Sequence, residues 1–137
     1  MLASIVAQCN LYAQQFIESN PMSYNACPYE WRALTVEEFK NVLGLTFCMG
    51  LNRKNQIRSY WSSRPIYHMP IFSSTIPRAR YKMTMRFLNY NDNTQCPPRN
   101  DPNFDKLYKI RPLLNYFSEI FPQLFTLDQN ICVDESL

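Results

Sequence analysis

Leu2, Ile5, Val6, Cys9, Tyr12, Phe16 and Ile17 recur at the spacing of one helix face. The spacing predicts an amphipathic helix over residues 2–18. Asn20–Pro21 should stop it, because a residue before proline avoids the helical region. Residues 21–34 read as a connector whose Tyr24, Tyr29 and Trp31 pack on the helices. Thr35 and Glu38 form an S/T-x-x-E capping box ahead of a second apolar series, Phe39, Val42, Leu43, Thr46 and Phe47. That series predicts a second helix with Gly50 as its stop. Gly44 inside it costs about 1 kcal/mol against alanine, which points to close packing there. Residues 56–62 predict a short helix carrying Ile57, Tyr60 and Trp61, and residues 63–72 an irregular stretch.

Ser74 or Thr75 is the expected cap of a third long helix, with Pro77 in its first turn and an end near Leu88. Its buried face should be Ile76, Tyr81, Thr84, Phe87 and Leu88. Residues 89–103 carry Pro97, Pro98 and Pro102 and read as a polar loop open to disorder or nicking. Ile110, Leu113, Leu114, Phe117, Ile120 and Phe121 predict a last helix starting near Ile110 or Arg111, with Pro122 closing it. The β-favouring run 131–133 predicts one C-terminal strand. The expected fold is mainly α.

Composition narrows the chemistry. The 137 residues fit one domain or a piece of one, and 46% apolar content suits a globular core. Only two residues are glycine, and no G-x-G-x-x-G or G-x-x-x-x-G-K phosphate loop occurs. The five cysteines (9, 27, 48, 96 and 132) form no C-x-x-C, and the single His68 lies near none of them. Reduced, mostly buried thiols are therefore the expectation rather than a zinc site. No apolar run reaches the length of a membrane span, and the N-terminal apolar run lacks signal-peptide flanks, so an intracellular protein is expected.

The net charge of +3 hides an uneven distribution. Between Glu38 and Asp92 there is no acidic residue, while Lys40, Arg53, Lys54, Arg58, Arg64, Arg78, Arg80, Lys82 and Arg86 all lie there. Tyr60, Trp61, Tyr67 and Tyr81 are interleaved with them. Arg78, Lys82 and Arg86 share one helix side at four-residue spacing. The row reads either as a solvated face or as a phosphate-binding surface. The length of the acid-free run favours phosphates, since solvated faces interleave both signs. Arg53, Lys54, Arg58, Arg78, Lys82 and Arg86 are the candidate DNA contacts. Asp134 and Glu135 follow the predicted strand, as a capped strand end or as part of a metal site that would need further carboxylates.

Eight stretches, in order, resemble the piggyBac-type transposases. Cys9-Asn10-Leu11-Tyr12-Ala13 is similar to that family's T-N-x-Y-A, and Trp31 with Leu34-Thr35-Val36-Glu37-Glu38 to W-x-x-L-T-x-E-E. Met49-Gly50-Leu51 and Tyr60-Trp61-Ser62 resemble M-G-L and Y-W-S. Arg78-Ala79-Arg80-Tyr81 resembles R-x-R-F, Leu88-Asn89-Tyr90-Asn91-Asp92 resembles L-H-F-N-D, and Lys109-Ile110-Arg111-Pro112-Leu113 resembles K-I-R-P-L. Val133-Asp134-Glu135-Ser136-Leu137 resembles V/I-D-E-S/Q-L/M. Cys9, Tyr81 and Asn89 depart from the usual Thr, Phe and His.

The resemblance implies cut-and-paste DNA transposition by an RNase H-like fold with three aspartates that hold Mg²⁺. Asp134 matches the first aspartate and would be a metal ligand in a complete site. The others are expected beyond Leu137. Residues 1–128 would then be a helical dimerisation and DNA-binding portion, and residues 129–137 the first strand of a truncated catalytic domain. The expected protein is a nuclear fragment, inactive and without Mg²⁺ by itself. It would bind DNA weakly and without sequence preference, pair with itself or a transposase chain, and self-associate through its unpaired strand. The alternatives are a domesticated protein-interaction or dimerisation module, or a decayed open reading frame.

Overall fold

The computed structural model describes residues 1–20 and 30–124. The predicted strand 131–133, Asp134, the boundary at residue 128 and most of the connector at 21–34 lie outside them. The described part is mainly helical, with no strand among its residues. Its helices are α1 (Leu2–Ser19), α2 (Val36–Leu51), α3 (Pro70–Thr75), α4 (Arg78–Arg86) and α5 (Arg111–Leu124). Short 3₁₀ turns sit at Ile57–Trp61 and Asn93–Gln95.

α1 follows its apolar spacing. Ile5, Val6, Cys9 and Ala13 are buried, with Tyr12 and Phe16 half-buried beside them. Asn10 ties the helix to the chain before α2: its side-chain amide donates to the Leu34 carbonyl (3.0 Å) and accepts from the Leu34 N–H (2.7 Å). Cys9 makes a longer-range tie. Its thiol donates to the Asn89 carbonyl (3.6 Å) and accepts from the Asn89 N–H (3.5 Å). A threonine hydroxyl, usual at this position in the resemblance, has the same donor and acceptor capacity.

α2 begins at Thr35, whose Oγ1 accepts the Glu38 N–H at 3.2 Å. The reciprocal half of the capping box is replaced, because the Glu38 carboxylate faces Arg80. The predicted inner face also shifts. Phe39, Val42 and Leu45 are buried, whereas Phe47 is 71% exposed. The reason is that α2 serves two neighbours. Phe39 packs with Ile5, Val6 and Cys9 of α1, while Val42 and Leu45 pack with Tyr60, Phe72, Ile76 and Tyr81. Gly44 meets no close neighbour, since a Cβ placed there has nothing within 4 Å. The helix runs one residue past Gly50.

The third predicted helix is α4, which begins at Arg78, and the short helix α3 before it occupies the end of the stretch 63–72 expected to be irregular. Ile76 and Pro77 are extended, which separates α3 from α4. The Ser74 and Thr75 hydroxyls donate back to the Ile71 carbonyl and close α3 instead of capping α4. Pro77 is the N-cap of α4 rather than a residue of its first turn, and Pro70 opens α3. α4 stops at Arg86, and Phe87, its C-cap, is buried with Ala13 and Met83.

Side chains organise the polar loop after α4. Asn91 donates to the Tyr108 carbonyl (2.9 Å), and the Tyr108 hydroxyl donates to the Asp92 carbonyl (3.1 Å). Gln15 of α1 donates to Asp92 at 3.2 Å. The Arg111 guanidinium grips Asp105 through two bonds of 2.7 Å, holding the Asp105 carboxyl down to about 2. α5 continues through Pro122 rather than closing there. Proline removes the bond to the carbonyl of residue 118, and Ser118 is exposed, so water can satisfy that carbonyl. No residue of α5 is buried.

Candidate nucleic-acid interface

The stretch after α2 is anchored by its aromatics. The buried Tyr60 hydroxyl accepts the Lys54 N–H (2.9 Å) and donates to the Asn52 carbonyl (2.8 Å). The Trp61 indole N–H donates to the Ile76 carbonyl (2.8 Å), and its ring packs on Phe72 and Tyr81. The Lys54 ammonium bonds the carbonyls of Ser59 and Tyr67 and sits 5.3 Å from the Tyr60 ring centre. These contacts fold residues 53–67 against the start of α4.

A cleft of about 850 Å³ results. Arg53, Lys54, Arg58, Arg64 and Arg78 line it, and no Asp or Glu does. Arg53, Arg58, Arg64 and Arg78 are exposed and form no ion pair among the described residues. Like charges converging in a concave surface focus a positive potential that attracts anions.

Four of the sequence-derived candidates, Arg53, Lys54, Arg58 and Arg78, thus meet in one place. Arg64, counted in the basic run but not among the candidate contacts, joins them. Lys82 and Arg86 do not line the cleft. The Arg86 guanidinium lies over the Phe16 ring at 4.8 Å, as structural packing between α4 and α1. Two further cations of the run are neutralised. Lys40 pairs with Glu37 (2.8 Å), and Arg80 forms a two-pronged pair with Glu38, both bonds 2.7 Å, over the face of Trp31. The Arg80 hydrogen bonds hold the Glu38 carboxyl below its ordinary range. No spacing rule in the sequence separates paired from unpaired arginines, because Glu38 lies 42 residues from Arg80.

The whole chain, residues 1–137, matches the family described as Transposase IS4. The chain belongs to that family. It is also 25% identical over 114 residues to human PiggyBac transposable element-derived protein 2, a match covering 80% of this chain and 18% of that protein. The chain thus spans about a fifth of that relative's length. No solved structure matches it. Together these make it a piggyBac-like, transposase-related protein.

This transposase family generally uses a divalent metal. Among the described residues no three His, Cys, Asp or Glu side chains gather to hold one. The described donor set therefore does not fit Mg²⁺, and Asp134 lies outside it. Among the described residues no helix is long and apolar enough to cross a membrane.

Proposed function

We propose that this chain is a helical portion of a piggyBac-like transposase and that its basic cleft contacts DNA phosphates. The cleft carries the reading: four unpaired arginines converge with no carboxylate among them. Cationic side chains release counterions from DNA on binding, which supplies sequence-independent affinity. In this reading the protein acts in the nucleus, binds DNA weakly without sequence preference, and performs no strand transfer with these helices alone. Asp134 is the candidate first aspartate of an RNase H-like Mg²⁺ site.

The test is fluorescence anisotropy on a short duplex across a salt series. The variant R58A/R64A/R78A should lower the slope of log affinity against log salt by about 0.9 for each phosphate it no longer engages. All three side chains are exposed, so the fold should survive. K82A/R86A should change the slope little, because neither residue lines the cleft. Equal slopes for wild type and the cleft variant would sink the phosphate reading. A second reading, a protein-interaction or dimerisation module, is favoured by the exposed Phe121 and Leu124 on α5 and Phe47 and Leu51 on α2.

A further inference from the structure

The cleft has an aromatic edge that phosphate binding does not use. Arg64, Pro65, Ile66 and Tyr67 form a tight turn closed by the Tyr67 N–H on the Arg64 carbonyl at 2.9 Å. The turn places Ile66 and Tyr67 at the surface, 85% and 43% exposed. Tyr67 lines the cleft together with the arginines. Lys54 fixes it there, bonding the Tyr67 carbonyl while its ammonium lies 5.8 Å from the ring centre. A tyrosine held by its own backbone, half in solvent and beside unpaired cations, is a platform rather than a core residue.

Duplex DNA hides its base faces inside the stack and presents phosphates on a convex surface. An aromatic ring set among phosphate-binding arginines meets no base face there. A single strand differs on both counts, since it bends into a concave groove and exposes a π-face on every base. The cleft combines a groove rich in positive charge with a fixed, exposed ring. Asn55, Gln56 and Ser63 on its lining add uncharged donors and acceptors.

We propose that this cleft prefers single-stranded nucleic acid to duplex, with Arg58, Arg64 and Arg78 on phosphates and Tyr67 stacked on a base. The proposal rests on the phosphate-binding reading above and names its substrate class. Base–aromatic stacking contributes about 1–3 kcal/mol per base, so Y67A should weaken single-strand binding about tenfold. Y67F keeps the ring and should bind as wild type does.

The experiment uses the 137-residue chain with a labelled oligothymidylate and a labelled duplex of equal length. Anisotropy across a salt series should show tighter binding of the single strand, with about 0.7 of slope per engaged phosphate against about 0.9 on duplex. Y67A should weaken the single strand alone, and a 2-aminopurine placed in that strand should be quenched by wild type and Y67F but not by Y67A. Thermal melts check that both variants remain folded. Equal affinity for both probes, or a Y67A effect of the same size on each, overturns the single-strand proposal and leaves the phosphate reading standing. If R58A/R64A/R78A changes neither affinity nor slope on either probe, the phosphate reading falls and the proposal with it.

Discussion

Glu38 has two local duties at once: its N–H completes the Thr35 cap while its carboxylate holds Arg80 and Arg32. The Glu38 and Arg80 side chains are only 15% and 12% exposed, so removing one charge strands the other with little water. Glu38→Gln should destabilise the fold by about 2 kcal/mol in urea titrations. The pH dependence carries a sign. The Arg80 hydrogen bonds pull the Glu38 carboxyl below its ordinary 4.5. Its contribution is therefore fully present above that value and lost as pH falls through the lowered one. Wild type should lose stability across that acid window more steeply than E38Q, and parallel curves would show that the pair does not stabilise the fold. Gly44 makes the opposite prediction. It lies in the interior of α2 with open space around it, so Gly44→Ala should raise stability by about 0.5–1 kcal/mol. A destabilised G44A in the same titration would mean that something covers that face.

At the scale of elements, the helices differ in how firmly they are held. α1, α2 and α4 each bury at least three side chains, and α5 buries none. Leu113 at the start of α5 packs on the cluster around Ile5 and Phe39, while Phe117 and Phe121 stack on each other at 5.1 Å. Local opening is easiest where few apolar contacts must break. Hydrogen exchange should therefore show the amides of residues 115–124 opening well before those of α1 and α2, and equal protection would contradict it. The α3–α4 break follows the same local logic. An extended Ile76 buries its side chain between Val42 and Tyr60, and Pro77 makes the extension the low-energy choice.

The molecule as a whole is joined by contacts between segments far apart in sequence. Phe87 meets Tyr12, Phe16 and Trp31, with ring centres 6.3, 5.5 and 5.0 Å away. Cys9 reaches Asn89 across 80 residues. Burial raises the Cys9 thiol above its ordinary value, which keeps it an uncharged packing group. Phe87→Ala should cost about 3–5 kcal/mol, because the cavity would lie among three elements that cannot all close on it. Stability is only about 5–15 kcal/mol for a domain of ordinary size, so this one change should bring the chain near unfolding in a thermal melt. A loss under about 1 kcal/mol would mean that the aromatic cluster does not hold α1 to α4.

By itself the sequence determined the elements whose causes are local. The apolar face of α1, the Thr35 cap, the 3₁₀ turn at Tyr60 and the start of α5 follow from spacing, capping and proline chemistry within a few residues. The family motifs were legible for the same reason, being short and in order, and they named the family to which the chain belongs. Tertiary structure alone decided which faces are inner and which charges are free. Leu45 replaced Phe47 because α2 lies between two partners rather than against one. Arg80 is paired because Glu38, distant in sequence, lies beside it, and Arg86 lies over Phe16 away from the cleft. Arg64 lines the cleft together with Arg58 and Arg78. An ion pair or a cleft depends on which distant segments meet, and periodicity along a chain carries no record of those meetings.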